Sequence, residues 1–99
     1  MYYCYYLVNM YYLYLLRCAD QTLYTGITVD LKRRVEEHNT SSLGAKYTRA
    51  RRPVIMVYSE QFTNRSEASK AERLMKKLSH QKKLALIQKF AQKTMSPSN

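Results

Sequence analysis

Short apolar runs dominate the beginning of the chain, and helical spacings of apolar residues dominate the rest. Residues 11–18 are almost all aromatic or aliphatic, and an apolar pattern returns at residues 23–28 after a polar break at residues 19–22. Runs of this length, rich in aromatic and branched residues, predict buried strands joined by a hairpin-length turn. A third run at residues 54–59 predicts one more strand.

Three later segments have apolar residues three or four positions apart and predict helices. The first begins after Asp30, a favourable N-cap residue, and ends at about residue 38 or 39. The second begins after Asn64, which is followed three residues later by a glutamate, and it runs to about residue 79. The third covers roughly residues 80–92.

The buried face of each helix follows from its spacing. Leu31 and Val35 are four residues apart and are expected to face the core together. A polar loop is expected at residues 40–46. The element order β-β-α-β-α-α predicts one small α/β (α+β) domain with helices packed on a sheet. The apolar stripes predicted for the last two helices are Ala68, Ala71, Leu74 or Met75, and Leu78 in one, and Leu84, Ile87, Phe90 and Ala91 in the other.

The N-terminal residues have the form of an imperfect duplication. Residues 1–9 read MYYCYYLVN and residues 10–18 read MYYLYLLRC. We therefore expect residues 1–9 to be an extension, residues 10–93 to be the single domain and residues 94–99 to be a disordered tail. An extra edge strand at residues 2–7 is the alternative, because its residue types are strong strand formers.

Charge and composition limit the classes of protein. The 99-residue chain has 17 Lys and Arg against 7 Asp and Glu, a formal net charge of +10. Such a charge on one small domain indicates an anionic partner, most often nucleic acid. The chain has neither an apolar run of about 18 residues nor a usual signal peptide, so no membrane-spanning or secreted protein is predicted. Two cysteines favour a reducing, cytoplasmic setting.

Several common kinds of site are not encoded. The two glycines are too few for the known phosphate-binding loops. The two cysteines and two histidines lack the paired spacing of zinc ligands. The basic C-terminal helices have too few large apolar residues for a membrane-surface helix. We expect neither a membrane nor a small-molecule cofactor as a partner.

Five residues form a more specific pattern. Tyr14 and Tyr24 lie ten positions apart on the two strands of the predicted hairpin, and Arg34 follows ten positions later. His38 is four residues beyond Arg34, so the two share one helix face. Glu72 stands far downstream, in a helix whose neighbouring residues are small, apolar or basic.

This pattern resembles the GIY-YIG nuclease domain over roughly residues 11–90. Tyr-Leu-Tyr at residues 12–14 and Tyr-Thr-Gly at residues 24–26 stand where the family has Gly-Ile-Tyr and Tyr-Ile-Gly. Residues 23–39 look like the small, stand-alone bacterial members. The resemblance implies a three-stranded antiparallel sheet flanked by helices, and metal-dependent hydrolysis of phosphodiester bonds. The asparagine found late in several family nucleases has no secure match at residues 80–84.

The resemblance also implies roles for the five residues. Tyr14 or Tyr24 would help to deprotonate or orient the attacking water, which requires a nearby cation if a phenol is to act as a base near pH 7. Arg34 would hold the scissile phosphate, and His38 would support the nucleophile or the phosphate. Glu72 would bind one divalent metal ion, Mg²⁺ or Mn²⁺, together with water and substrate oxygens.

The same residues also have purely structural interpretations. The two tyrosines can be packed strand aromatics, and Arg34 and His38 can be ordinary surface or capping residues of a helix. Glu72 can pair with Lys76 four residues later. Gly26 would let the phosphate approach the sheet closely, or would relieve crowding beneath a helix.

Basic residues are expected to flank this site and to hold a phosphate backbone without reading sequence. We therefore expect an endonuclease of little sequence specificity, acting as a monomer on DNA rather than RNA. One alternative is a nucleic-acid-binding module of the same fold with weak or no cleavage, and another is an interaction subunit for an acidic protein. The expected nucleic-acid-binding residues are Lys46, Arg49, Arg51, Arg52, Lys76, Lys77, Lys82 and Lys83.

Overall fold

Strand β1 (Tyr11–Arg17) is the middle strand of a three-stranded antiparallel sheet. It pairs on one side with β2 (Leu23–Thr28) and on the other with β3 (Ile55–Phe62). The computed structural model describes the backbone of residues 10–95 and the side chains of residues 10–93. The expected fold class, with its antiparallel sheet, is confirmed.

Two of the helices begin where the sequence predicts an N-cap. Oδ1 of Asp30 accepts a hydrogen bond from the backbone N–H of Arg33 at 3.1 Å, and Oδ1 of Asn64 accepts one from Glu67 at 2.9 Å. These bonds satisfy N–H groups that a helix start otherwise leaves without partners. The helices of the described residues are α1 (Leu31–Thr40), α2 (Lys46–Arg49), α3 (Arg65–Lys77) and α4 (His80–Met95).

The sheet separates two hydrophobic clusters, because successive residues of a strand point to opposite faces. On one face, Tyr14 and Leu16 pack with Val54 and with Leu31 and Val35 of α1. On the other face, Leu13 and Leu15 of β1 pack with residues of α3 and α4, among them Met75, Ala71, Leu86 and Ile87. Helix α1 therefore covers one face of the sheet, and α3 and α4 cover the other.

The core of the two C-terminal helices differs in part from the predicted stripes. Met75 is 6% exposed whereas Leu74 is 66% exposed, so of these two alternatives Met75 is the one that joins the core. The inward orientation predicted for Leu84 is wrong, since its side chain is 43% exposed and Leu86 packs against the core instead. The register of helix α4 on the sheet, rather than the local spacing, decides which residues are buried.

The limits of three segments also differ from the prediction. Strand β3 runs to Phe62, beyond its predicted end at residue 59, because Phe62 pairs with Tyr11 at the start of β1. The single turn of α2 lies in the segment for which no helix was predicted. Helix α4 continues to Met95. The extension expected at residues 1–9 and residues 96–99 of the expected tail lie outside the described residues. Within the described residues, every helix is too short or too polar to cross a membrane.

Candidate active site

Tyr14 lies at the centre of β1 with its ring over Gly26, its pairing partner on β2. The tyrosine is only 1% exposed. A Cβ atom at position 26 would lie 2.5 Å from the Tyr14 hydroxyl oxygen and 2.7 Å from Cζ, closer than real Cβ contacts allow. Gly26 is therefore needed at this position because the phenol ring of Tyr14 occupies the space above it.

The hydroxyl of Tyr14 begins a buried chain of hydrogen bonds. It lies 2.8 Å from Nε2 of His38 on helix α1, and Nδ1 of the same imidazole lies 2.8 Å from Oγ1 of Thr48 on α2. His38 and Thr48 are both fully buried, and every buried side-chain polar atom of the described residues has a hydrogen-bond partner. Three separate elements thus hold one phenol and one imidazole in fixed orientations.

Burial keeps both ends of the Tyr14–His38 pair neutral. Burial and then the positive charges of Arg34 and Arg52, with Glu37 opposing them, lower the pKa of His38 to about 4. Burial also raises the pKa of Tyr14 to about 12, although the guanidinium of Arg34 favours the phenolate. The nearby cation expected from the sequence is present, but burial outweighs it. Tyr14 is consequently a phenol, and His38 a neutral imidazole, near pH 7.

Tyr24 forms the wall of the site between the buried pair and the surface. Its ring centroid lies 5.1 Å from that of His38 and 6.4 Å from that of Tyr14. On its other side it stacks with Tyr47 of α2, with centroids 6.0 Å apart. The guanidinium of Arg51 covers the Tyr47 ring at 3.8 Å. The two tyrosines of the predicted pair are therefore brought together, Tyr14 in the core and Tyr24 partly exposed.

Arg34 lies one helical turn before His38 at the edge of the site. Its Nη1 donates hydrogen bonds to Oε1 of Glu37 at 2.8 Å and to the backbone carbonyl of Leu43 at 2.9 Å. Burial opposes its charge, but the bonds to Glu37 and the proximity of Tyr14 outweigh this effect, so the pKa of Arg34 is raised. A guanidinium fixed in this way can present its remaining donors to an anion.

Glu72 of helix α3, like Arg34, has an ion-pair partner in the structure. Its Oε2 lies 3.3 Å from Nζ of Lys76, the ion pair that its structural interpretation predicts. Its negative charge also reaches the site, since it contributes to the raised pKa of Tyr14. Glu72 is therefore held in an ion pair with a lysine that is more than half exposed, and its charge is the smallest of the influences on the pKa of Tyr14.

A metal ion at this place would have few protein ligands. Within the described residues, no group of three or more His, Cys, Asp or Glu is close enough to hold a metal ion. One half-buried carboxylate fits Mg²⁺ or Mn²⁺, which are bound in such sites by one or two carboxylates, water and substrate oxygens. The donor set of Glu72 thus suits a metal that is shared with a phosphate.

The arginines before β3 are engaged by the protein itself. Arg52 donates to three backbone carbonyls at the C-terminal end of α1, those of His38, Ser41 and Glu37. Arg51 pairs with Asp20 at 3.0 Å and donates to the carbonyl of Tyr47. Arg49 donates to the carbonyl of Ser42 at 3.2 Å. Arg52 in particular acts as a cap for the end of helix α1.

The lysines of the expected binding set differ from these arginines, because most of them are exposed and unpaired within the described residues. Lys46, Lys77 and Lys82 are exposed and form no ion pair within the described residues. Lys76 is paired with Glu72, and Lys83 is partly buried.

Two residues important to the site were not found by sequence reasoning. Thr48 stands in a segment for which no helix was predicted, and only its distance to His38 reveals its role. Gly44 packs against the end of α1, where a Cβ would lie 2.7 Å from the carbonyl of Glu37 and 2.9 Å from Cα of His38. A glycine in a polar loop just before the arginines is the signal that could have indicated this close approach.

Comparison with known proteins places these residues in a family. A family model described as the GIY-YIG catalytic domain matches residues 10–85. A UPF0213 protein of Desulfotalea psychrophila is 54% identical over 76 residues, which cover 77% of this chain and 69% of that protein. One from Streptococcus agalactiae is 55% identical over 76 residues, covering 77% of this chain and 85% of the relative.

Two solved structures have the same fold. The solution NMR structure of a UPF0213 protein from Bacillus halodurans is 38% identical, has a TM-score of 0.55, and covers 91% of this chain and 98% of that one. That of a protein from E. faecalis is 44% identical, has a TM-score of 0.57, and covers 84% and 88% of the two chains. The matched segment contains Tyr14, Tyr24, Arg34, His38 and Glu72, and the chain belongs to the GIY-YIG family.

Proposed function

We propose that this protein is an endonuclease that hydrolyses phosphodiester bonds in DNA with one divalent metal ion and little sequence specificity. The observation that carries the proposal is the 2.8 Å contact between the Tyr14 hydroxyl and Nε2 of His38, beside the guanidinium of Arg34. A hydroxyl coupled to an imidazole can move a proton, and a fixed guanidinium can stabilise a phosphate. Membership of the GIY-YIG family supports the same reaction class.

Tyr14 would act as a proton shuttle rather than as a resident base. With a pKa of about 12 it carries its proton near pH 7. Its oxygen can accept a proton from the attacking water while its own proton passes to Nε2 of His38. The water oxygen forms the new bond to phosphorus, the bond from phosphorus to the leaving oxygen breaks, and the leaving oxygen takes a proton from solvent. The extra proton on His38 then returns through Tyr14 to solvent.

Arg34 would bind the scissile phosphate next to this pair. Its side chain is 26% exposed, so an anion can reach it, and its Nη1 bonds to Glu37 and Leu43 fix the plane of the guanidinium. Arginine keeps its charge at all pH values relevant to a protein. Phosphate binding also adds negative charge beside His38, which favours the imidazolium that the shuttle produces.

Glu72 would hold the metal ion, Mg²⁺ or Mn²⁺. When bound, the ion supplies positive charge that stabilises the reacting phosphate. The ion pair of Glu72 with Lys76, 3.3 Å long, would have to open for the carboxylate to act as a ligand. Since Lys76 is largely exposed, its ammonium can move to water at small cost.

Exposed lysines on two separate parts of the fold support binding to a nucleic-acid backbone. Lys46 lies on α2 and Lys77 and Lys82 lie at the junction of α3 and α4. We propose DNA rather than RNA as the partner, bound by a monomer in the cytoplasm. Contacts of lysine with phosphate position a duplex or strand without selecting its sequence.

A nucleic-acid-binding module with weak or no cleavage is the second candidate. The observation that favours it is the Glu72–Lys76 ion pair, which gives the carboxylate a structural task. The two functions predict different effects of removing the Glu72 carboxylate. A nuclease would lose cleavage, whereas a binding module needs the positive charge of its surface but no metal ligand.

The test is cleavage of single-stranded and branched DNA by the purified protein with Mg²⁺ or Mn²⁺. We expect Glu72→Gln and Arg34→Ala to lower the cleavage rate by about 100-fold or more, the usual effect of removing such a group. Glu67→Gln is the matched control, because Glu67 lies in the first turn of the same helix and is exposed. It should cleave like the wild type.

DNA affinity is measured in parallel to separate the two candidates. Salt-sensitive binding that survives Glu72→Gln, together with lost cleavage, supports the nuclease. Binding without metal-dependent cleavage by the wild type supports the binding module. Equal cleavage by the wild type and Glu72→Gln would contradict the assignment of the metal ligand.

A further inference from the structure

We propose that Thr48 is a positioning residue that holds His38 as the Nδ1–H tautomer and so directs the proton of Tyr14 toward Nε2. A neutral imidazole has one N–H donor and one acceptor nitrogen, and the partner of one nitrogen decides the role of the other. The consequence for cleavage rests on the proposed function, but the assignment of the tautomer does not.

The direction of each hydrogen bond follows from the single proton of the Thr48 hydroxyl. Oγ1 of Thr48 lies 3.0 Å from the backbone carbonyl of Ala45, which can only accept. Such a bond to the carbonyl three residues earlier is common for threonine in a helix. With its proton given to Ala45, Oγ1 must accept from Nδ1–H of His38 at 2.8 Å. Nε2 is then the acceptor for the Tyr14 hydroxyl at 2.8 Å.

A competing arrangement is geometrically weaker. The backbone N–H of Ala45 points at Nδ1 of His38 from 3.5 Å, and it would become a real donor if Nδ1 were unprotonated. In that tautomer Nε2–H would donate to Tyr14, and the phenol could no longer give its proton to the imidazole. The N···N distance is at the limit for a hydrogen bond, whereas both contacts of Thr48 are well within it. The Nδ1–H tautomer therefore uses the shorter bonds.

Packing alone does not require the buried hydroxyl of Thr48. Thr48 is fully buried, and valine would fill the same volume. Replacing the hydroxyl by a methyl group would leave Nδ1–H of His38 with no acceptor on α2, at a site that water does not reach. The hydroxyl thus selects one of the two tautomers of an imidazole that burial keeps neutral.

The test reads the tautomer directly in the full-length protein. Histidine labelled with ¹⁵N is observed by long-range proton–nitrogen correlation NMR near neutral pH. The wild type is expected to show a protonated Nδ1 and an unprotonated Nε2 at His38, and the exposed His80 serves as internal reference. Thr48→Val should lose this pattern, and Thr48→Ser, which keeps the hydroxyl, should retain it.

Cleavage measured on the same proteins gives a second readout. Thr48→Val should lower kcat by about 10-fold or more without a matching change in KM. Thr48→Ser, which keeps the hydroxyl, should have a kcat close to that of the wild type. A protonated Nε2 at His38 of the wild type would overturn the proposal whether or not DNA is cut. An Nδ1–H pattern unchanged in Thr48→Val would overturn it as well. The expected tautomer in a protein that cuts no DNA would support this proposal and contradict the proposed function. If Thr48→Val does not fold, the wild type and Thr48→Ser still decide.

Discussion

The hydroxyl of Tyr14 and Nε2 of His38 lie 2.8 Å apart although 24 positions of the chain separate the two residues. Strand β1 supplies the phenol and helix α1 supplies the imidazole, and Gly26 on β2 leaves the room in which they meet. Both groups are buried and both are neutral near pH 7. The proposed chemistry of the site would therefore depend on proton transfer within a pair of neutral groups.

Tyr14→Phe tests this pair directly. It keeps the ring over Gly26 but removes the hydroxyl, so proton transfer between water and His38 has no path. We expect the cleavage rate to fall by about 100-fold or more, in the range typical of a lost acid–base group, with little change in DNA affinity. Leaving Nε2 of His38 without its partner should also lower the free energy of unfolding by about 1–3 kcal/mol.

Tyr58→Phe is the matched control for that experiment. The pKa of Tyr58 is also raised to about 12 by burial and by Glu60, with which its hydroxyl bonds at 2.9 Å. Its ring packs with the cluster on the opposite face of the sheet. Cleavage by Tyr58→Phe should equal that of the wild type. An equal loss in both variants would mean that removal of any such phenol disturbs the fold, and the role of Tyr14 would be lost.

Gly26→Ala should displace Tyr14. The new methyl group would stand 2.5 Å from the hydroxyl oxygen, in a region where both residues are buried. Overpacking of this kind lowers the free energy of unfolding by about 1–3 kcal/mol. Urea unfolding measures the effect, and the same substitution in a Tyr14→Ala background is the control. Since the ring is then absent, the penalty of Gly26→Ala should largely disappear; a penalty of equal size would show that another contact causes it.

Arg52→Met should destabilise the protein rather than weaken its contacts with DNA. The guanidinium donates to the carbonyls of His38, Ser41 and Glu37 and so satisfies the end of helix α1. Hydrogen bonds from a charged group contribute about 1.5–3 kcal/mol each, so we expect a loss of about 2 kcal/mol or more in the free energy of unfolding. Lys46→Met, at an exposed position of α2, should leave stability unchanged and weaken DNA binding at low salt. Unchanged stability in Arg52→Met would contradict the capping role.

Sequence reasoning reached the parts of the site that local patterns encode. The two strands that carry Tyr14 and Tyr24, and the shared helix face of Arg34 and His38, follow from spacing and are found in the structure. Thr48 could not be predicted in the same way, because its contact with His38 depends on how the loop after α1 returns to that helix. Nothing in the run of arginines marks Arg52 as the capping residue.

The same limit explains the errors in the core. The spacing of apolar residues in α4 allows Leu84 to face inward, and only the packing of the helix on the sheet places Leu86 there. For Gly26, the sequence indicated a close approach in a strand but not the group that approaches. That group is the neighbouring phenol of Tyr14, which the pairing register places opposite the glycine.

Stability should fall as the pH is lowered through the range in which free histidine gains a proton. The pKa of His38 is lowered from 6.5 to about 4, first by burial and then by Arg34 and Arg52, with Glu37 opposing. Between these two values the unfolded chain binds a proton that the folded chain does not, so the free energy of unfolding decreases with decreasing pH. The full effect is about 3 kcal/mol, lost between about pH 6.5 and pH 4. Urea unfolding across this range measures it.

His38→Gln should flatten the dependence of the free energy of unfolding on pH, whereas His80→Gln, at an exposed position, should leave it unchanged. The lowered pKa of Asp20 acts below this range, because its usual value is already 3.8. A curve with the same slope in the wild type and His38→Gln would show that the imidazole is not held neutral by the fold.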